Sequence, residues 1–210
     1  MAKLEVHHLN NSRSQRVLWL LEELELPYEL VKYQRDPVKN LAPESLKAIH
    51  PLGKSPVLRD DGQVVIESGA IIEYIVRRYG KGRLAPEPSS PAWVGYLQLM
   101  HYAEGSAMLP IMLRLYLSRL GDAAKPLEPR VTSEIENHLG FLESQLAGRD
   151  WFVGSELSAA DIQLSFAIQT ARLLYGLEKF PNLARFLDRI HARPAYKRAL
   201  ERGGAYAFGS

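Results

Sequence analysis

The sequence predicts two units in series, an α/β unit followed by an all-α unit. Three observations carry that reading. Across residues 1–80 the spacing of apolar residues switches repeatedly between a period of about two and a period of about 3.6, the marks of strands and helices. A Gly/Pro/Ser-rich stretch, KGRLAPEPSS at 81–90, then interrupts every periodic pattern. Beyond it only the helical period recurs, so 91–210 is expected to be helical throughout.

Lys3 to His8 alternates polar and apolar, with Leu4, Val6 and His8 on one face, and reads as a strand. Asn10, Asn11 and Ser12 form a polar break suited to a turn and a helix cap. Val17, Leu18, Leu20, Leu21 and Leu24 give the face of a first helix, closed by Pro27, and Tyr28–Tyr33 reads as a second strand. Pro37 and Pro43 leave room only for a short helix around Glu44 to Ile49. Val57-Leu58 and Val64–Ile66 flank Asp60-Asp61-Gly62, a hairpin signal, because a type I′ turn needs positive φ that Asp and Gly tolerate. Ile71, Ile72, Ile75, Val76 and Tyr79 then mark a helix ended by Gly80 and Gly82. The order β-α-β-(α)-β-β-α implies a sheet of about four strands with helices packed on it.

In the second unit Ser90-Pro91 reads as a cap with proline at the first helical position. The helix it opens runs to about Leu120 and Gly121, kinked by Pro110. Val131, Ile135, Leu139, Leu142 and Leu146 mark the next helix, stopped by Gly148. Ser158 to Leu174 is apolar on most sides and reads as a buried helix. Ser158 and Asp161 have capping-box spacing, and Leu157 with Ile162 fits a hydrophobic staple. Pro181 starts a further helix, Pro194 breaks it, a short helix follows, and Gly203-Gly204 opens a loose tail.

Composition excludes several functions. Hydrophobic content of 46% and charged content of 24% are those of an ordinary globular protein. The net charge is +2 with no run of five like charges, which argues against a nucleic-acid surface. No apolar run approaches the ~18 residues of a membrane span, and the N-terminus lacks an apolar signal core, so the chain is expected in the cytoplasm. Cysteine is absent, which removes disulfides, thiolate nucleophiles and thiolate metal sites. The six histidines are scattered, and no metal is expected. Any thiol chemistry must use a thiol that the ligand brings.

Several stretches together resemble one family. HPLGKSPVL followed by ESGAIIEYI is similar to the segment around the cis-proline of cytosolic glutathione transferases. LSAADI resembles the capping motif of their buried helix, and NNSRSQRVLWLLEEL their active-site turn and first helix. The resemblance covers nearly the whole chain in the right order, and a serine in the turn resembles the serine-type bacterial, fungal and theta-like branches. It implies a thioredoxin-like domain at 1–80, a linker at 81–90 and a helical-bundle domain at 91–210. Two departures stand out: His50 where many members have Asn, and Ser55 where many have Val.

The resemblance also assigns roles beside the plain structural ones. On sequence alone Pro56 is a trans strand-entry proline, since only ~5–6% of X–Pro bonds are cis; the resemblance implies cis. Val57 is then expected to pair with the extended backbone of glutathione as an added strand. Ser68, otherwise a helix cap, would hold the γ-glutamyl carboxylate, and Glu67, otherwise solvated, its amino group. Lys54, with His50, would reach the glycyl carboxylate. Ser12 would donate a hydrogen bond to the sulfur, with Asn11 as the rival donor and Arg13 adding field. Arg16 reads as structural, bridging to the helical domain. Leu109, Met112, Leu113 and Tyr116 are the candidates for the electrophile site, with Tyr206 and Phe208 as a lid; Tyr102 and Glu104 are candidates for the residue by which a partner subunit helps hold the γ-glutamyl end. The implied activity is transfer of glutathione, its co-substrate, to a small hydrophobic electrophile in a homodimer, with detoxification as the role. The alternatives are a glutathione-dependent disulfide or peroxide reductase and a non-catalytic carrier of hydrophobic ligands.

Overall fold

The computed structural model describes residues 4–209. Its chain divides into two compact units, one of residues 1–83 with 191–210 and one of residues 84–190.

The first unit is built on a four-stranded sheet of order β2-β1-β3-β4. Its strands are β1 (Leu4–Leu9), β2 (Tyr28–Tyr33), β3 (Val57–Asp60) and β4 (Gln63–Val65). The Lys3 start expected for β1 lies outside the described residues. β1 runs parallel to β2, with Leu9 opposite Tyr33, and antiparallel to β3, with His7 opposite Val57. The β1–β2 crossover is helix α1 (Ser14–Glu23), and α2 (Ser68–Tyr79) follows β4. Between β2 and β3 lies one short 3₁₀ turn, Glu44–Ala48, as the prolines on either side require. The β3–β4 hairpin turns on Asp61 and Gly62 at φ 48° and 88°, the positive pair that a type I′ turn demands. Val17, Leu18, Leu20 and Leu21 of α1 and Ile71, Ile72 and Ile75 of α2 are fully buried with Val6 and Leu58 of the sheet.

The last helix of the chain corrects the expected boundary at 91–210. α8 (Pro194–Gly203) belongs to the first unit, where it packs along α1. Tyr196 meets Trp19 edge-on at 5.4 Å. Glu22 accepts hydrogen bonds from Arg198 Nε (3.0 Å), Arg202 (3.2 Å) and the Tyr28 hydroxyl (2.9 Å), while Glu23 is gripped by Arg193 through both Nε (2.5 Å) and Nη2 (2.9 Å). Polar partners 170 or more positions apart carry no periodic signal, which is why helical pattern alone assigned α8 elsewhere.

The second unit holds α3 (Trp93–Tyr102), α4 (Met108–Leu117), α5 (Glu128–Gln145), α6 (Ala159–Leu174) and most of α7 (Pro181–Ala192). α3 begins after the expected Ser90-Pro91 start. Ser90 instead closes a preceding turn, its hydroxyl accepting Ala92 N–H at 3.2 Å and its carbonyl accepting Trp93 N–H at 3.0 Å. The break forced by Pro110 appears as a π-helical segment, Ala103–Ala107, between α3 and α4. Proline offers no N–H to the carbonyl four residues earlier, and the wider turn just upstream absorbs the mismatch. α4 stops at Leu117, and Gly121, at φ 54°, opens a short 3₁₀ turn rather than ending the long helix. α6 is buried continuously from Ala159 to Ala171, as its all-round apolar sequence dictates. Among the described residues no helix is long and apolar enough to cross a membrane.

Candidate functional site

The strand registers bring the expected site residues of the first unit to one end of its sheet. β1 and β2 both finish there, β3 starts there, and β4 leads back there into α2. The Asn10–Arg13 turn, the Ser55-Pro56 entry to β3 and the first turn of α2 therefore share that end.

In the turn, Asn11 adopts φ 50°, a left-handed conformation that asparagine tolerates. Ser12 is buried. Its Oγ lies 2.7 Å from Ser14 Oγ and accepts Ser14 N–H at 3.2 Å. Ser14 Oγ lies 2.7 Å from Nδ1 of His8 and 3.2 Å from the Leu9 carbonyl. His8 is buried, and its pKa is pushed down to about 4 by that burial and by the nearby charge of Lys32, so its ring is neutral at pH 7. The side-chain carbonyl of Asn11 accepts a 2.7 Å hydrogen bond from Ala207 N–H. This corrects the expected loose tail: Gly203 is buried within α8, and the residues after it fold back onto the turn. Tyr206 and Phe208 pack edge to face at 5.4 Å. Burial holds the Tyr206 hydroxyl well above its usual pKa, and the charge of Arg16, buried on α1, acts against that rise.

Arg35 is a site residue that sequence reasoning missed. Its backbone N–H donates to Asn10 Oδ1 (3.1 Å), its Nε to the Asn10 carbonyl (3.1 Å), and an Nη to the Asn11 carbonyl (3.0 Å). The pairing of Leu9 with Tyr33 puts Arg35 beside Asn11, each two residues past its strand. Only that register could have revealed it.

At the start of β3 the Ser55–Pro56 peptide is cis. Ser55 is bound to β1: its hydroxyl donates to the His7 carbonyl at 2.9 Å and accepts Leu9 N–H at 3.1 Å. It thus replaces a rung of the β1–β3 ladder. Val57 is buried and pairs with His7, whereas the ladder to β4 begins only at Leu58, opposite Val65. On its β4 side Val57 has no strand partner among the described residues.

Glu67 precedes α2 at φ 65°, exposed, and Ser68 is the first helical residue, buried. The leading N–H groups of α2 have no partner inside the helix. Lys54 is exposed and has no ion-pair partner among the described residues; His50 is half-buried, with Nδ1 3.4 Å from Leu52 N. Arg13 is half-buried directly before α1.

The electrophile candidates lie on α4 of the second unit. Leu109, Leu113 and Tyr116 are exposed and Met112 half-buried, forming one apolar stripe at helical spacing. A separate cavity of about 790 Å³ in that unit is lined by Leu97, His101, Tyr102, Phe141, Arg149 and Phe152 among others, and by none of those four. Tyr102 is held there by His138, its hydroxyl 2.6 Å from Nδ1, and by the ring of Phe141.

Comparison with known proteins agrees with this architecture. Residues 4–77 match the model of the glutathione S-transferase N-terminal domain, and residues 99–194 that of the C-terminal domain. The chain is 34% identical to glutathione S-transferase 3 of Schizosaccharomyces pombe, over 94% of this chain and 86% of that protein. It is 35% identical to a glutathione S-transferase from Actinobacillus pleuropneumoniae whose structure superposes with a TM-score of 0.88, over 99% and 95% of the two chains. A glutathione transferase family member from Pseudomonas fluorescens, solved with two glutathione bound, is 26% identical with a TM-score of 0.80, over 94% and 92%. The chain belongs to the glutathione S-transferase family.

Proposed function

We propose that this protein binds glutathione at the sheet end described above and activates its thiol for attack on small hydrophobic electrophiles. The observation that carries the reading is the start of β3 at Val57, which β4 leaves unpaired, flanked on one side by the Asn11–Ser12 turn and on the other by the N-terminus of α2. An extended tripeptide adds to such an edge through its backbone. Its γ-glutamyl carboxylate then meets the unpartnered N–H groups of α2 and the Ser68 hydroxyl, where the helix end favours negative charge. Glu67 pairs with the α-amino group. Lys54, helped by His50, takes the glycyl carboxylate. The sulfur lies at the turn, where an N–H or O–H donor from Asn11 or Ser12 stabilises the thiolate over the thiol, and Arg13 adds positive field.

The thiol loses its proton to solvent, the thiolate attacks and a C–S bond forms; either a leaving group departs with the electron pair of the broken bond, or the thiolate adds to a double bond whose displaced electron pair takes a proton from solvent. The stripe of Leu109, Met112, Leu113 and Tyr116 is the proposed apolar support for the electrophile. The reading places the protein in the cytoplasm as a homodimer with a role in detoxification, and among the family branches that carry serine in the turn.

A second reading, a glutathione-dependent reductase of small disulfides or peroxides, is favoured by the two glutathione molecules in the Pseudomonas relative. Without cysteine such a path needs two glutathione molecules. Calorimetry with glutathione, followed by turnover of an aromatic halide against a small disulfide, tests both. One glutathione per subunit with halide turnover supports the transferase. Two per subunit with disulfide turnover alone supports the reductase. No binding overturns both.

A further inference from the structure

The face of the sheet away from α1 carries a second cluster of titratable side chains. His8 meets Ser14 of α1 from one face of β1, so Glu5 and His7 point to the other. The strand registers add to that face Arg59 opposite Glu5 on β3, Glu29 opposite Glu5 on β2, and Tyr33 opposite Leu9, one step diagonal from His7. The Tyr33 hydroxyl lies 2.9 Å from His7 Nδ1, and His7 Nε2 lies 2.8 Å from Glu5 Oε1. Arg59 Nη1 stands 3.6 Å from the same Glu5 oxygen. His7 is buried, whereas Tyr33, Glu5 and Arg59 are half-buried. None of these side chains has a part in the glutathione reading above.

The hydrogens in this cluster follow from its partners. A carboxylate offers only lone pairs, so the ring nitrogen that faces Glu5 at 2.8 Å is the one that carries the hydrogen. That nitrogen makes no aligned hydrogen bond, and the contact acts mainly through charge. Nδ1 is then a bare lone pair, and the Tyr33 hydroxyl donates to it. Burial lowers the pKa of His7, with Glu5 working against that fall and Arg59 adding to it, so the ring is neutral at pH 7 and free to take a proton. Once it does, the new charge stands beside the Glu5 carboxylate. Burial and Glu5 raise the pKa of Tyr33, and Arg59 acts against the rise, so Tyr33 stays a phenol until its proton has a base to go to.

A hydroxyl, an imidazole lone pair that receives its hydrogen, and a carboxylate behind the imidazole are the parts of a nucleophilic triad, here with a phenol as the nucleophile. We propose that Tyr33 is a covalent site for activated acyl groups, such as those of aryl esters, with His7 as its general base and Glu5 as the residue that positions His7. As the Tyr33 oxygen attacks the carbonyl carbon and the new C–O bond forms, its proton passes to His7 Nδ1. The bond to the leaving group then breaks. The leaving group departs with that electron pair and takes the proton from His7, which leaves an O-acyl tyrosine and a neutral His7. Arg59 adds positive charge to the face on which the carbonyl oxygen turns negative. The step needs no glutathione and stands apart from the glutathione reading.

The test uses p-nitrophenyl acetate without glutathione, read by release of p-nitrophenolate and by peptide mapping of the acetyl group. A stoichiometric burst is expected, with the acetyl group on Tyr33 and both lost in Tyr33→Phe. The burst rate is expected to rise with pH through a midpoint below 6.5 and then level off, because the base is neutral His7 with its lowered pKa. An unassisted phenol reacts through its phenolate instead, and its rate keeps rising toward a pKa of ~10. Glu5→Gln is expected to move the midpoint further down, since Glu5 draws a proton to His7; loss of mere structural support does not shift it. His7→Gln is expected to slow the burst about 100-fold, the contribution of a positioned general base. Because His7 is buried and that variant can fail to fold, the pH profile and the Glu5→Gln shift decide the matter without it. Three outcomes overturn the proposal: acetyl groups on lysines with Tyr33 unlabelled, a Tyr33 rate that climbs toward pH 10 with no lower midpoint, or a midpoint that Glu5→Gln leaves in place.

Discussion

Asp161 and Ser158 hold each other at the start of α6: one carboxylate oxygen of Asp161 accepts both the Ser158 backbone N–H at 2.8 Å and its hydroxyl at 2.7 Å. The second oxygen accepts Phe152 N–H at 2.9 Å, so the same side chain ties the preceding loop to the helix. The site is fully buried, and burial outweighs these hydrogen bonds, pushing the Asp161 pKa from 3.8 up to about 6.

A raised acid favours the folded state while it is protonated. Its stabilising contribution is therefore complete below pH about 4 and is lost as pH rises through about 6, by roughly 3 kcal/mol for a shift of about two units. Asp161→Asn cannot titrate, and its amide nitrogen opposes one set of donors. It is expected to melt at lower temperature, by about 1–3 kcal/mol of stability, and with a shallower decline between pH 4 and 7. Thermal melts of both proteins across that range check it; parallel pH profiles would refute the assignment.

Glu22 predicts the opposite slope. Burial works to raise its pKa, but Arg198, Tyr28 and Arg202 together bring it below the usual carboxylate value. A depressed acid stabilises the fold above its unfolded pKa and loses that contribution as pH falls through the folded one. Glu22→Ala leaves Arg198, Arg202 and the Tyr28 hydroxyl without this partner at the α1–α8 contact. A loss of about 2 kcal/mol is expected, because the arginines are partly exposed and find water. Denaturant titration at pH 7 measures it, and the gap to wild type narrows in acid.

Deletion of residues 205–210 removes the Ala207 N–H from Asn11 and the half-buried Tyr206 ring from the first unit. The apolar surface lost corresponds to about 1–2 kcal/mol, or a drop of about 2–8 °C in melting temperature. Hydrogen exchange is expected to quicken at Asn11 to Ser14 and to stay unchanged in α5 and α6. Unchanged exchange at the turn would show that the tail does not hold it.

Most of the fold was legible in the sequence because it follows from local periodicity and turn chemistry. Tyr28–Tyr33, the Asp61-Gly62 hairpin and the Ser158–Asp161 cap each depend on residues within a few positions of one another. The candidate site was legible where it coincides with such signals, as at Ser68 and the Asn11–Ser12 turn. What escaped depends on register and on distant partners. Arg35 reaches Asn10 and Asn11 only because Leu9 pairs with Tyr33. α8 sits on α1 through arginines whose surface spacing looks like any solvated helix face. The His8–Ser14–Ser12 chain joins a strand residue to the helix it leads into, and alternation shows only which face His8 occupies.

Ser55 shows how a departure from the usual residue acquires a reason. Its hydroxyl serves the His7 carbonyl and Leu9 N–H where the β1–β3 ladder would otherwise end. Ser55→Val restores the commoner family residue but leaves both backbone groups without that partner. A loss of about 1–3 kcal/mol is expected, with faster exchange of the Leu9 amide. Equal stability of the two proteins by denaturant titration would mean that water replaces the hydroxyl at no cost.

Lys54 tests the proposed direction of the bound peptide. Its exposed ammonium is assigned to the glycyl carboxylate, a group that γ-glutamylcysteine carries one residue earlier and in a different place. Lys54→Ala is expected to weaken glutathione binding about 5–10-fold, near 1 kcal/mol for a solvent-exposed charge pair, and to relax the dependence of binding on salt. Binding of γ-glutamylcysteine is expected to change little, because its proposed contacts at Glu67, Ser68 and Val57 are untouched. If both peptides lose affinity equally in calorimetry, Lys54 acts on the γ-glutamyl half of the ligand or on the site as a whole, and the glycyl end must be sought elsewhere.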